Sequence, residues 1–223
     1  MKLKSMFLCW CVMVGVTSQV SHAKPTDGEI YTYTAIYEYV REVATTDELK
    51  NYPEAVNQAV ADAIAGKPNR YSDEQLLIAM ANIEQQRQQK QLEKINQNRI
   101  KGKQFLTQNA QQAGVITTKS GLQYKIIKQG NGKKPKANSV VTFHYEGRMI
   151  DGEMFDSSYA RSPMQVQLGK DLIQGLSEGL QYIQAGGEIE LYIPDNLAYA
   201  QMATPLFDGG ETLIFKVKLL EVK

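Results

Sequence analysis

Apolar and polar positions alternate most cleanly near the C-terminus, where Leu213, Phe215, Val217 and Leu219 share one side and Lys216 and Lys218 the other. A period of two marks a strand with one face on a core and one in water. The same reading gives strands over Leu122 to Ile127, Val140 to Tyr145 and Glu188 to Ile193. In the second of these Val141, Phe143 and Tyr145 share a face, and the Asp151-Gly152 pair that follows signals a hairpin. Gly175 to Tyr182 reads as a short helix around which the sheet wraps. Strands around one short helix, after an all-helical first half, define an α+β class.

The N-terminal half follows a helical period. Thr26-Asp27-Gly28 reads as a turn, and then Tyr33, Ile36, Tyr37 and Val40 recur at the spacing of an amphipathic helix. A second helix begins near Asn51-Tyr52-Pro53, with the proline in the first turn, where a missing N–H costs nothing. Ala55, Val56, Ala59, Val60, Ala63 and Ile64 form its stripe, and Gly66 and Pro68 end it. Ser72-Asp73-Glu74-Gln75 is a capping-box pattern opening a third helix of about forty residues, roughly 60 Å long. Leu76, Leu77, Met80 and Ile83 serve packing at its start, whereas Glu84 to Gln91 is polar on every side, as in a connector between domains. A coiled coil lacks a sustained heptad seam here, and disorder is the other reading of so Gln-rich a stretch.

Composition changes this picture at the N-terminus. Lys2 and Lys4 precede an apolar run, Met6 to Val16, and Ser21-His22-Ala23 offers a small-x-small cleavage site, the layout of a secretory leader. The run is shorter than the about 20 residues of a membrane span. The expected division is a leader over 1–23, a helical domain over 24–71, the long helix over 72–113 and the sheet domain over 114–223. Both cysteines, Cys9 and Cys11, fall in the leader, so the mature chain is expected to have no disulfide. Loss of Lys2 and Lys4 takes the basic residues from 25 to 23 against 24 acids, which leaves no footprint for nucleic acid. His144 is the one histidine after cleavage, so no transition-metal site and no cofactor are expected. Gly130-Asn131-Gly132-Lys133-Lys134 lacks phosphate-loop spacing, and no Gly-x-Ser-x-Gly occurs, which removes nucleotide-loop and serine-hydrolase readings.

The motifs of the second half come in a telling order: Tyr145-Glu146-Gly147, Phe155-Asp156-Ser157-Ser158, Arg161, Pro163, Leu168-Gly169-Lys170, Leu172 to Leu180, Leu197-Ala198-Tyr199-Ala200 and Thr212-Leu213-Ile214-Phe215. From about Gly121 to the end this series resembles the FKBP-type (tacrolimus-binding) peptidyl-prolyl isomerases. Ala61 to Lys67, Gly102 to Leu106, Gly114-Val115 and Ser120 to Tyr124 are similar to the macrophage infectivity potentiator (Mip) branch of that family. The resemblance implies an N-terminal dimerisation domain, a long connecting helix and an FKBP-like antiparallel sheet around a short helix. It implies a homodimer acting on proline-containing unfolded or exported polypeptides, periplasmic or surface-associated, with no transmembrane segment in the mature chain. In helix one, Ile36, Tyr37 and Val40 stand where the branch usually shows spaced glycines.

By motif position, Tyr145, Phe155 and Phe215 are implied as aromatic walls and Leu172 and Ile173 as the rim, with the Ile173 N–H as a donor to substrate. Tyr199 is implied as a hydroxyl donor and Asp156 as the polar side near the twisting amide, oriented by Arg161. Met164 stands where the family often has an aromatic, and Phe207 where it has an apolar loop residue. Three departures stand out. Leu176 replaces a floor tryptophan, Ala200 replaces a glycine at a position that strains if it needs positive φ, and Asp208-Gly209 replaces two prolines, which predicts a looser loop. Prolyl rotation faces a barrier of about 18–20 kcal/mol from amide resonance and breaks no bond, so an apolar pocket with a few donors is enough. The expected function is peptidyl-prolyl isomerisation in aid of exported-protein folding. The alternatives are a non-catalytic chaperone or binding module on the same fold, and a surface interaction protein using it as a scaffold.

Overall fold

The computed structural model describes residues 24–43 and 51–223. The expected leader lies outside these residues. The chain divides after Ser72 into two compact units.

In the first unit, α1 spans Asp27–Val43 and α2 spans Pro53–Ile64, with Pro53 opening the latter as its sequence predicts. The turn expected at Thr26-Asp27-Gly28 is instead the start of α1. Thr26 Oγ1 accepts the Glu29 N–H at 3.3 Å while Glu29 accepts the Thr26 N–H at 2.7 Å, a reciprocal cap that satisfies otherwise orphaned donors. The tyrosine stripe forms on α1, with Tyr33 and Tyr37 stacked one turn apart at 6.1 Å. Both remain exposed, as do Tyr31, Ile36 and Tyr39. Asp62 near the end of α2 is buried and takes hydrogen bonds from Gln58, Lys67 and Arg70, tying the helix to the segment after it. The Arg70 bond, foremost, holds the Asp62 carboxyl below its ordinary value against the opposing effect of burial.

The second unit begins with α3, Asp73–Asn109, whose 37 residues make about 55 Å at 1.5 Å each. Glu84 to Gln91 is exposed on all sides, as expected, but the C-terminal half is not a free connector: Ile95, Asn98, Gly102 and Asn109 are buried along one face. Among the described residues no helix is long and apolar enough to cross a membrane.

Seven strands form one antiparallel sheet. They are β1 (Val115–Thr117), β2 (Gln123–Lys128), β3 (Val140–Met149), β4 (Met154–Ser157), β5 (Met164–Gln167), β6 (Glu188–Ile193) and β7 (Leu213–Val222). Their order is β1-β2-β6-β7-β3-β4, with β5 paired to β3. The Asp151-Gly152 turn joins β3 to β4, as its sequence predicts. Helix α4, Gln174–Gly179, continues into a 3-10 turn to Tyr182 and lies on β6. The alternating side chains enter the core as the pattern requires: Phe143, Ile189, Leu191, Leu213, Val217 and Leu219 are wholly buried, with Leu180 from the 3-10 turn. Each such side chain contributes about 1.5–3 kcal/mol through burial. This core holds the sheet rigid behind the site.

Candidate active site

A cavity of about 250 Å³ opens between the sheet, α4 and the loop from Pro194 to Thr212. Its lining contains Tyr145, Phe155, Asp156, Met164, Leu172, Ile173, Leu176, Tyr199, Phe207 and Phe215. Of the residues singled out in the sequence, only Arg161 is absent from the wall. Its guanidinium sits behind it, donating to Asp156 Oδ1 and to the Ser157 carbonyl at 3.0 Å.

The aromatic walls pack edge to face. Phe155 meets Phe215 at 5.6 Å and 83°, and Phe207 at 5.0 Å and 66°, while Tyr199 meets Phe207 at 5.4 Å and 65°. Such pairs add about 0.5–1.5 kcal/mol beyond the area they bury. Gly147 makes the arrangement possible, because a Cβ there would lie 2.6 Å from Phe155 and 3.1 Å from Phe215. Leu176 forms the apolar floor from α4 and is 6% exposed. Met164, at the start of β5, and Leu172 and Ile173, just before α4, are half-buried at the margin. Ile173 is the N-cap of α4, and its carbonyl accepts the Ser177 N–H.

The polar side is built on Asp156. Tyr145 donates its hydroxyl to Oδ2 at 2.5 Å, and the Ser157 N–H donates to Oδ1 at 2.8 Å. With Arg161 also bound, both carboxylate oxygens are engaged, so Asp156 is held in a fixed orientation at the cavity wall. Burial chiefly, and then the hydrogen bond to that carboxylate, raises the Tyr145 hydroxyl above the ordinary tyrosine value, so it stays protonated. The Tyr199 hydroxyl bonds to no other described residue, and Tyr199 is 38% exposed at the cavity wall, so its O–H is free to donate. Among the described residues no cluster of histidine, cysteine or carboxylate side chains is placed to hold a metal ion.

Four further residues line the cavity: Phe143, Asp171, Thr204 and Leu206. Phe143 was legible as a strand residue but not as part of the site. Thr204 fixes Phe207 directly, since its hydroxyl oxygen accepts the Leu206 and Phe207 N–H groups, each at 3.1 Å, and its own N–H donates to the Phe207 carbonyl at 2.9 Å. The threonine before a proline was the available signal. Ala200 has φ +54°, the one non-glycine residue at positive φ among the described residues, so the condition under which this position strains is met.

An antiparallel sheet around a short helix, with an aromatic pocket facing a tethered carboxylate, defines the FKBP class of fold and site. Residues 131–220 match the family described as FKBP-type peptidyl-prolyl cis-trans isomerase, and residues 32–126 match the domain amino terminal to FKBP-type peptidyl-prolyl isomerase. The chain is 43% identical over 189 residues to a probable FKBP-type peptidyl-prolyl cis-trans isomerase FkpA from Neisseria meningitidis serogroup B, covering 82% of this chain and 68% of that one. It is 33% identical over 222 residues to the peptidyl-prolyl cis-trans isomerase Mip of Coxiella burnetii, covering 97% and 96%. The crystal structure of FkpA from Escherichia coli superposes with a TM-score of 0.75 at 32% identity, over 90% of this chain and 99% of that one. The chain belongs to the FKBP-type peptidyl-prolyl isomerase family. Its activity is peptidyl-prolyl cis-trans isomerisation, which these relatives favour over a non-catalytic binding module.

Proposed function

We propose that this isomerase takes the prolyl residue of an exported, incompletely folded polypeptide into the cavity between Phe155, Phe215 and Leu176. The cavity itself carries this reading: about 250 Å³, walled chiefly by aromatic and aliphatic side chains, with the Asp156 carboxylate tied to Arg161 and Tyr145. That volume lies below the about 300–1,000 Å³ of drug-sized ligand sites and suits one residue.

A planar amide is more charge-separated than a twisted one, so a site that withholds water favours the twisted transition state. The aromatic walls exclude water, the Tyr199 hydroxyl donates to a flanking carbonyl, and the Ile173 N–H holds the chain on the other side. Asp156 presents its fixed carboxylate beside the rotating bond. Each tenfold acceleration requires about 1.36 kcal/mol, the scale of one such added interaction.

The chain works as a homodimer through its N-terminal unit. The exposed tyrosine stripe of α1 supports this, because Tyr31, Tyr33 and Tyr39 are each more than 60% exposed in the single chain. The match to the domain amino terminal to FKBP-type isomerases supports it too. Export to the periplasm or cell surface follows from the leader pattern over 1–23, and one relative carries the name outer membrane protein MIP.

Refolding of an exported protein whose slow phase is prolyl isomerisation tests the reading. That phase, tens to hundreds of seconds unaided, shortens with the isomerase present. An unchanged slow phase, with the client still kept from aggregating, overturns it. Sedimentation equilibrium returns the mass of two chains, and a monomer at micromolar concentration overturns the dimer.

A further inference from the structure

The loop that carries Tyr199 and Phe207 contains neither helix nor strand between Ala198 and Thr212, yet both rings occupy defined places in the cavity wall. Two adjacent residues of α3 reach its opposite ends. At the start, Arg99 Nε donates to Asp195 Oδ2 at 2.8 Å, and the Asp195 carbonyl in turn accepts the Ala198 and Ala200 N–H groups. At the end, Asn98 Nδ2 donates to the Gly209 carbonyl at 3.0 Å in a buried bond across the fold, with Asn98 only 3% exposed. The Gly210 N–H then closes the loop on the Ala200 carbonyl at 2.7 Å. Lys94 and Asp208 stand 3.8 Å apart, both sides well exposed, and such a pair adds little.

We propose that Asn98 and Arg99 are positioning residues of the isomerase pocket: together they set where Tyr199 and Phe207 stand. The proposal rests on the isomerase reading above and gives α3 a part in substrate binding, although no α3 side chain lines the cavity. The physical reason is economical. The loop's own hydrogen bonds, centred on Thr204 and on the Ala200–Gly210 closure, fix its local shape but not its place on the sheet, and two anchors at its ends remove most of that remaining freedom. Asn98 has the geometry for the task, since a buried amide donor that loses its acceptor costs more than the net value of the bond. These contacts act on the ground-state complex and the transition state alike, so they govern KM more than kcat.

The test uses the full chain. Asn98→Asp keeps the shape but turns the donor into an oxygen facing the Gly209 carbonyl. Peptide KM rises about three- to tenfold, the factor that one hydrogen bond of ordinary net strength corresponds to, with kcat within about twofold. Arg99→Ala behaves the same way, and Arg99→Lys, which keeps a cation for Asp195, restores the wild-type KM. Hydrogen exchange gives the second readout: the Ala200 and Gly210 amides speed up, whereas Val217 and Leu219 in β7 do not. Unchanged KM and unchanged exchange in folded variants overturn the proposal. So does faster exchange throughout β7, which assigns the two residues to general stability. Should Asn98→Asp fail to fold, the Arg99 pair carries the test. A wild-type protein without peptide activity overturns the isomerase reading instead, and the exchange data still decide whether α3 holds the loop.

Discussion

Tyr145 and Asp156 meet across the β3–β4 hairpin, the tyrosine hydroxyl donating to Asp156 Oδ2 at 2.5 Å while Arg161 binds the other carboxylate oxygen. The three residues do not contribute equally. Asp156→Ala leaves the part-buried Tyr145 hydroxyl without its acceptor, at about 1–3 kcal/mol, and removes the carboxylate from the pocket, while Arg161 keeps the Ser157 carbonyl; Tyr145→Phe removes one bond of about 1 kcal/mol. Arg161 is 59% exposed along its side chain, and exposed pairs are worth about 0–1 kcal/mol. The expected order of loss in kcat/KM toward a proline peptide is Asp156→Ala, then Tyr145→Phe, then Arg161→Ala. An Arg161→Ala variant as impaired as Asp156→Ala contradicts this account of the carboxylate.

Ala200 occupies the left-handed region at φ +54°, where a Cβ costs about 1–2 kcal/mol. Ala200→Gly relieves that strain but adds freedom to the unfolded chain, so the expected gain is about 0.5–1 kcal/mol. Chemical denaturation of the purified protein measures it. A destabilised variant would mean that the alanine methyl group makes a contact worth more than the backbone strain.

Gly102 packs against the buried Thr212, and a Cβ at this position would lie 2.2 Å from Thr212 Oγ1. In a free helix Gly→Ala gains about 1 kcal/mol. Here the overlap reverses the sign, and Gly102→Ala destabilises by about 1–3 kcal/mol. Adding Thr212→Ala recovers part of the loss in a double-mutant cycle. Independent, additive effects would show that α3 does not dock where the structure places it.

The two units respond to opposite ends of the pH scale. Burial chiefly raises Tyr145 and Tyr192 above the ordinary value of about 10, with Asp156 and Glu190 adding to it respectively. Their contribution is fully present below pH about 10 and is lost as pH rises through the folded-state values, because the unfolded chain ionises first. Asp62 is shifted the other way, chiefly by Arg70, so its contribution is present above the ordinary aspartate value and lost as pH falls below it. Thermal unfolding followed across pH shows an alkaline loss centred on the sheet unit and an acid loss in the helical unit. Asp62→Asn flattens the acid limb only.

Where side chains alternate on a rigid core, the sequence predicts the elements closely: β6 and β7 begin and end where their patterns do. The strand β3 runs four residues past Tyr145, because Gly147 and Arg148 pair with Phe215 and Ile214 although their side chains show no alternation. β1, β4 and β5 are three or four residues long, too short for a period to register. The pocket was legible through motif order, which carries Tyr145, Phe155, Asp156 and Tyr199 into one place. The docking face of α3 was not. Apart from Ile95 and Phe105, its contacts are made by asparagines, an arginine and a glycine, and a search for apolar stripes passes over such residues even at helical spacing. The loop with Asp208-Gly209 in place of prolines is likewise not free. It is pinned by Asn98 from a helix more than a hundred positions earlier in the chain.

The most direct measurement is the cis-to-trans rate of a short proline peptide with the purified protein, beside a Tyr199→Phe/Asp156→Ala variant. The account predicts clear acceleration by the wild type and loss of most of it in the folded variant. Equal acceleration by both proteins would contradict the assignment of this cavity as the site of catalysis.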